Sequence, residues 1–149
     1  MSCRKNFTAL TSDERNWLAG ALNALFADGD IAEHAHHHEL YFNNGIHRGP
    51  AFLPWHRHMI LQFEQALQAK DARVVLPFWD WTRADSRDLD AEPWKSFFGG
   101  RNNTGGEFDH WSYTRAATPP VGQVLPSLDS VIDELQAATF AEWQFLDRG

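Results

Sequence analysis

Cysteine occurs once, at Cys3, in a chain of 149 residues. That excludes an intrachain disulfide and any cysteine-based zinc site. Long apolar runs are missing too: no stretch of about 18 consecutive apolar residues is present to form a membrane-crossing helix. The opening "MSCRKNFTAL" lacks the apolar core of a secretory signal. The expectation is a cytoplasmic protein, or one exported with a signal-bearing partner. Positive charge is scarce, with 13 Lys and Arg against 20 Asp and Glu and a formal net charge of −7. Phosphate binding needs clustered Lys and Arg, so nucleic acid is a poor partner. No internal repeat, low-complexity tract or composition break divides the sequence. The reading is one domain over 1–149, long enough for one hydrophobic core.

Aromatic rings and imidazoles are abundant instead. The chain has seven Trp, eleven Phe and eight His, and five of the histidines fall between His34 and His47. The helical pattern begins at Thr11-x-x-Glu14, a capping box, followed by Trp17, Leu18, Leu22 and Leu25 at helical spacing. A first helix over Ser12–Ala27 is predicted, with Gly29 as its stop. "DIAEHAHHHELYFNN" predicts a second helix, capped by Asp30 and terminated at Asn43-Asn44-Gly45. Ile31, Ala35, His38 and Phe42 stand at i, i+4, i+7 and i+11 there, on one face.

A loop with two prolines spans Gly45–Trp55. "HRHMILQFEQALQAK" then predicts a third helix starting at His56, with His56, Ile60, Phe63 and Leu67 again at i, i+4, i+7 and i+11. "RVVLPFWDWT" reads as a short extended apolar segment. From Arg83 to Pro126 the chain is irregular and rich in Gly, Pro, Asn and Asp, and is expected to pack through Trp94, Phe97, Phe98 and Trp111. A last helix is predicted from Ser127 or Leu128 to about Phe145.

Both middle helices thus put one histidine on the stripe that should face the core, and the loop between them adds His47. The bland alternative is a packed turn with incidental histidines. Three apolar-face or loop-anchored imidazoles within twenty residues favour a metal site, because copper and zinc take neutral imidazole from elements that cannot move. Pro50 and Pro54 stiffen the arm that joins His47 to His56. Within "HAHHH" the stripe favours His38, with His36 as the runner-up. His34 and His37 lie off the stripe, His58 points away from His56 around the helix, and His110 is isolated.

The run "HRGPAFLPWHR", followed by "FEQAL" and "LPFWDWT", resembles the first copper-binding region of the tyrosinases and related polyphenol oxidases. These are type 3 copper proteins. "RKNFTALTSDER" and "GDIAEHAHHHELYF" resemble the start of the short bacterial tyrosinases, and Gly29 and Glu33 fall on like residues. In that alignment the three ligands of the first copper fall on His38, His47 and His56. The resemblance implies a mainly α fold, part of a four-helix-bundle copper domain with long irregular loops. It also implies two copper ions, one of them held by this chain. The activity implied is copper-dependent oxidation of phenols by dioxygen: o-hydroxylation of monophenols, oxidation of o-diphenols to o-quinones, or both. It further suggests that Phe52 stacks on a ligand, and that Glu64 supports a ligand or Arg57.

Two departures matter. No cysteine stands near a ligand histidine, so the thioether bridge of some relatives is absent. The second copper needs an H-x-x-x-H pair and a later histidine, yet after His58 only His110 follows. The closing "TFAEWQFLDRG" resembles the segment before the second copper region. The expectation is therefore a first-copper part, inactive until a second polypeptide segment supplies the other site. The alternatives are a haemocyanin-like oxygen carrier or a mononuclear copper holder, or two copies of the chain pairing their coppers.

Overall fold

The computed structural model describes residues 3–47, 49–83, 90–99, 105–111 and 128–136. Among them are four α-helices and one short 3-10 turn, Phe7–Ala9. The helices are α1 (Ser12–Asp28), α2 (Asp30–Tyr41), α3 (Phe52–Lys70) and α4 (Leu128–Leu135). The mainly α expectation holds. No described helix is long and apolar enough to cross a membrane.

The start of α1 follows the capping-box reading. The Thr11 hydroxyl accepts the Glu14 N–H at 3.2 Å, and the Glu14 carboxylate accepts the Thr11 N–H at 2.9 Å. Two of the four donors that a helix start leaves without partners are thereby satisfied. The helix ends at Gly29, whose φ of +84° suits a residue without Cβ. That single glycine is also the whole connection to α2: its N–H reaches the Phe26 carbonyl, and its own carbonyl accepts the Glu33 N–H.

The core gathers on α1. Leu18, Ala19, Ala21, Leu22 and Leu25 are buried, joined by Leu67 of α3 and by Phe7, Val74, Phe97 and Phe108 from outside the helices. Leu25 and Leu67 are both 0% exposed, so the α1–α3 contact is the driest part of the fold. The irregular region packs through aromatics, as expected. Phe26 and Trp111 stack at 4.5 Å, and the Trp111 indole N–H donates to Asn23 at 2.6 Å. Phe108, which sequence pattern did not single out, is 1% exposed and touches Phe97, Phe98 and Trp111.

Two expectations need correction. The third helix begins at Phe52, four residues before His56, so the rigid loop is shorter and His56 lies within the helix's second turn. Pro54 falls in the first turn, where an N–H has no helical acceptor to lose, and its fixed φ suits a helix. The segment 73–82, read as extended, forms no helix and runs into a turn at 81–82. A single parallel bridge joins Asn6 and Phe78, through Phe7 N–H to the Phe78 carbonyl at 2.8 Å and Phe78 N–H to the Lys5 carbonyl at 2.9 Å. One such bridge without neighbours cannot extend into a sheet.

The second correction concerns the α2 stripe, which is only partly covered. Ile31 and His38 are half-buried, while Ala35 and Phe42 are exposed. The α3 stripe is also only partly covered: Leu67 is buried, Phe63 and His56 are half-buried, and Ile60 is 41% exposed. Leu67, the buried residue of α3, belongs to the core cluster built on α1. The last helix is described over Leu128–Leu135, and the remainder of its expected span, 137–145, lies outside the described residues.

Candidate metal centre

Three imidazoles converge at the open end of the α2–α3 pair. His38 comes from the third turn of α2, His47 from the turn after it, and His56 from the second turn of α3. His38 Nε2 lies 3.2 Å from His47 Nε2 and 3.4 Å from His56 Nε2. One nitrogen from each residue falls within 4.8 Å of the other two. All three rings are half-buried. Among the described residues this is the one group of three or more metal-ligating side chains with such spacing.

The spacing can be checked against coordination chemistry. Imidazole nitrogens bound about 2.0–2.1 Å from one ion at near-tetrahedral angles stand roughly 3.3 Å apart. The two short Nε2 separations match that value. Nitrogens that merely packed together without sharing a proton or an ion would repel at this distance, lone pair against lone pair. The donor set therefore fits a divalent or monovalent transition metal that favours neutral imidazole.

The tautomers agree with that fit. His56 Nδ1–H donates to the Phe52 carbonyl one turn back, at 2.8 Å. That hydrogen bond leaves the lone pair on Nε2, aimed at the other two rings, as ligating histidines usually require. His38 is held below the ordinary histidine pKa, first by burial and then by the neighbouring charges that His47 and His56 would carry if protonated. Both causes favour the neutral ring that a metal needs.

Aromatic faces enclose the cluster. Phe52 lies 4.5 Å from the His56 ring and 5.8 Å from His47, tilted by 44° and 60°, so it contacts both rings but does not stack on either as the resemblance suggested. Phe42 lies 4.5 Å from His47 and 6.0 Å from His38. Trp55 touches His38 and His56 at 5.7 and 5.0 Å. Sequence reading took Phe42 as a core residue. The signal that could have placed it is its position, one turn after His38 on the same stripe.

The other histidines stand apart. His36 is exposed and lies 3.7 Å from Glu39, so the runner-up within "HAHHH" does not join the cluster. His34 uses Nδ1 on the Asp30 carbonyl at 2.9 Å and sets its ring edge against Phe63. His37 packs on Tyr41 and Trp55. His58 and His110 are exposed. An open cleft of about 580 Å³ runs between α2 and α3, lined by His34, His36, His37 and Met59 among others, and none of the three clustered histidines lines it.

Glu64 departs from expectation. It bonds neither a clustered histidine nor Arg57, but holds Arg4 at 2.7 Å and accepts the Leu76 N–H at 2.9 Å. Its work is to fasten the chain's early segment and the residues after α3 onto α3.

The helical scaffold thus brings three imidazole nitrogens to one point, at a spacing that could hold a metal ion. Residues 29–142 match the family described as the common central domain of tyrosinase. The chain belongs to the tyrosinase family. It is 34% identical to the tyrosinase of Streptomyces lincolnensis over 177 aligned positions, covering all of this chain and 64% of that protein. It is 41% identical to the tyrosinase of Streptomyces glaucescens over 108 positions, or 67% of this chain and 39% of the relative. Over 61 positions it is 48% identical to the grixazone synthase of Streptomyces griseus, covering 41% of this chain and 19% of that enzyme. The chain thus spans less than two thirds of these relatives' lengths. The family comprises copper oxidoreductases that act on phenols with dioxygen.

Proposed function

We propose that this chain supplies the first copper site of a tyrosinase-like phenol oxidase, with His38, His47 and His56 as the ligands of one copper ion. The observation that carries the reading is the convergence of three Nε2 atoms at 3.2 and 3.4 Å from two helices and the turn between them. Copper, when bound as a pair, supplies dioxygen activation and electron transfer from the phenol, and the protein supplies ligands, orientation and exclusion of water. The residues here do the latter. The Phe52 carbonyl fixes the His56 tautomer, and Phe42, Phe52 and Trp55 wall the cluster with apolar faces.

The second copper is assigned to another polypeptide segment. Three further histidines are needed, and after His58 the sequence holds only His110, whose exposed ring lies beside Asp109. The half-covered faces of α2 and α3, with Leu40, Leu53 and Leu61 exposed, suit a surface that such a segment would cover. Within 1–149 the described core is continuous from α1 to the aromatic residues near 108, which supports one structural unit.

The test is o-diphenol oxidation by the 149-residue chain alone and after adding a tyrosinase segment that carries the second copper region. Little quinone formation alone and recovery on mixing is the expected result. Full turnover by the isolated monomer would contradict the division of sites. Reversible dioxygen uptake with no turnover in the mixture would instead favour an oxygen carrier, and copper binding with neither would favour a mononuclear copper holder.

A further inference from the structure

We propose that Phe42 is a positioning residue that aims the His47 ring at the metal; the inference rests on the trihistidine copper reading above. The three histidines are not held alike. His56 sits inside α3 with its Nδ1 bonded to the Phe52 carbonyl, so both backbone and ring are fixed. His38 sits inside α2. His47 lies in neither helix, and among the described residues its ring makes one hydrogen bond, between its Nε2 and His38 Nε2. That contact is the one an incoming ion would replace. Once it is gone, hydrogen bonding no longer orients the ring.

Packing remains for the task, and Ile46 and Phe42 divide most of it. Ile46, 4% exposed, anchors the backbone next to His47 in the interior. Anchoring the backbone leaves χ1 and χ2 of His47 free. Phe42 restricts them: its ring lies 4.5 Å from the imidazole at an interplanar angle of 40°, closer than Phe52 at 5.8 Å. Phe42 stands one turn beyond His38, just past the end of α2, so its own position is set by the helix that carries the first ligand. It therefore couples the loop ligand to the helical one.

Its exposure supports the assignment. Phe42 is 51% exposed and absent from the buried core and the residues packed on it. Core packing within this chain does not explain a large apolar ring at this place, whereas the close, tilted contact with His47 does. The contact is apolar and offers the imidazole no proton acceptor, so it sets the direction of Nε2 without choosing the tautomer.

The experiment titrates Cu(II) into the 149-residue chain against a competing chelator, and records the nitrogen hyperfine pattern by electron paramagnetic resonance. Phe42→Ala should weaken copper binding about 10-fold or more, in the range for residues that orient a ligand from behind. Its spectrum should lose the signature of one coordinated imidazole. Phe42→Tyr keeps the ring face and should restore both. Phe42→Leu keeps apolar bulk, guarding against a folding defect, and should still show the weakened site. Wild-type affinity and spectrum in Phe42→Ala or Phe42→Leu would overturn the inference, as would failure of Phe42→Tyr to rescue. If the unsubstituted chain itself binds no copper tightly, the metal-centre reading fails, and this inference with it. Retained binding in the unsubstituted chain and in Phe42→Ala alike would remove only the role of Phe42.

Discussion

Arg4 and Glu64, 60 positions apart, meet through a guanidinium–carboxylate pair with Nη2 2.7 Å from Oε2 and Nε 3.3 Å from Oε1. The same carboxylate accepts the Leu76 N–H, so one side chain of α3 joins three parts of the chain. Hydrogen bonding from Arg4 first, and then from Leu76 against the opposing effect of burial, holds Glu64 below its ordinary value of 4.5. A carboxylate whose folded pKa is depressed stabilises the fold fully above that ordinary value, and the contribution is lost as pH falls through the lower folded value. Glu64→Gln should therefore cost about 1–3 kcal/mol near neutral pH, the usual loss for a hydrogen bond to a charged group. The gap from wild type should narrow in acid. Urea unfolding at both pH values measures it, and a gap that stays constant with pH would remove the carboxylate's charge from the explanation.

The uneven burial along α3 gives a second expectation. Leu67 is 0% exposed and meets the α1 core, whereas Ile60 is 41% exposed. Leu67→Ala should destabilise by about 2–5 kcal/mol, through lost burial and the cavity left behind. Ile60→Ala should cost less than about 1 kcal/mol in the isolated chain. Chemical denaturation of the two variants separates them. Equal costs would contradict the exposure of Ile60 in the isolated chain.

At the start of α1, Thr11→Ala removes the hydroxyl that accepts the Glu14 N–H while leaving the helix sequence intact. A loss of about 1 kcal/mol is expected from an N-cap of this kind. Thermal unfolding provides the check, and no change in midpoint would show that Glu14's reciprocal bond suffices by itself.

Much of this was readable in advance, and the reasons differ by residue. Thr11, Glu14 and Gly29 act through contacts within a few positions, so local pattern placed α1 to within one residue of its observed end. His38 was chosen by its helical stripe, and the structure brings it to His47 and His56 where it leaves His36 outside. What pattern missed came from contacts distant in sequence. Glu64 finds Arg4 and Leu76 because the chain's early segment crosses α3, which no spacing rule encodes. Phe108 is buried only because an irregular segment folds back onto α1, and irregular backbone carries no periodicity to reveal it. The start of α3 was misplaced because Pro50 and Pro54 read as loop residues, although a proline in a helix's first turn loses no hydrogen bond.

The most direct measurement is the copper content and affinity of the 149-residue chain, by equilibrium dialysis against a competing chelator, beside the single variants His38→Ala, His47→Ala and His56→Ala. One tightly held ion per chain is expected, with tight binding lost in each variant. Undiminished affinity in any of the three would contradict the trihistidine site and strike that residue from it.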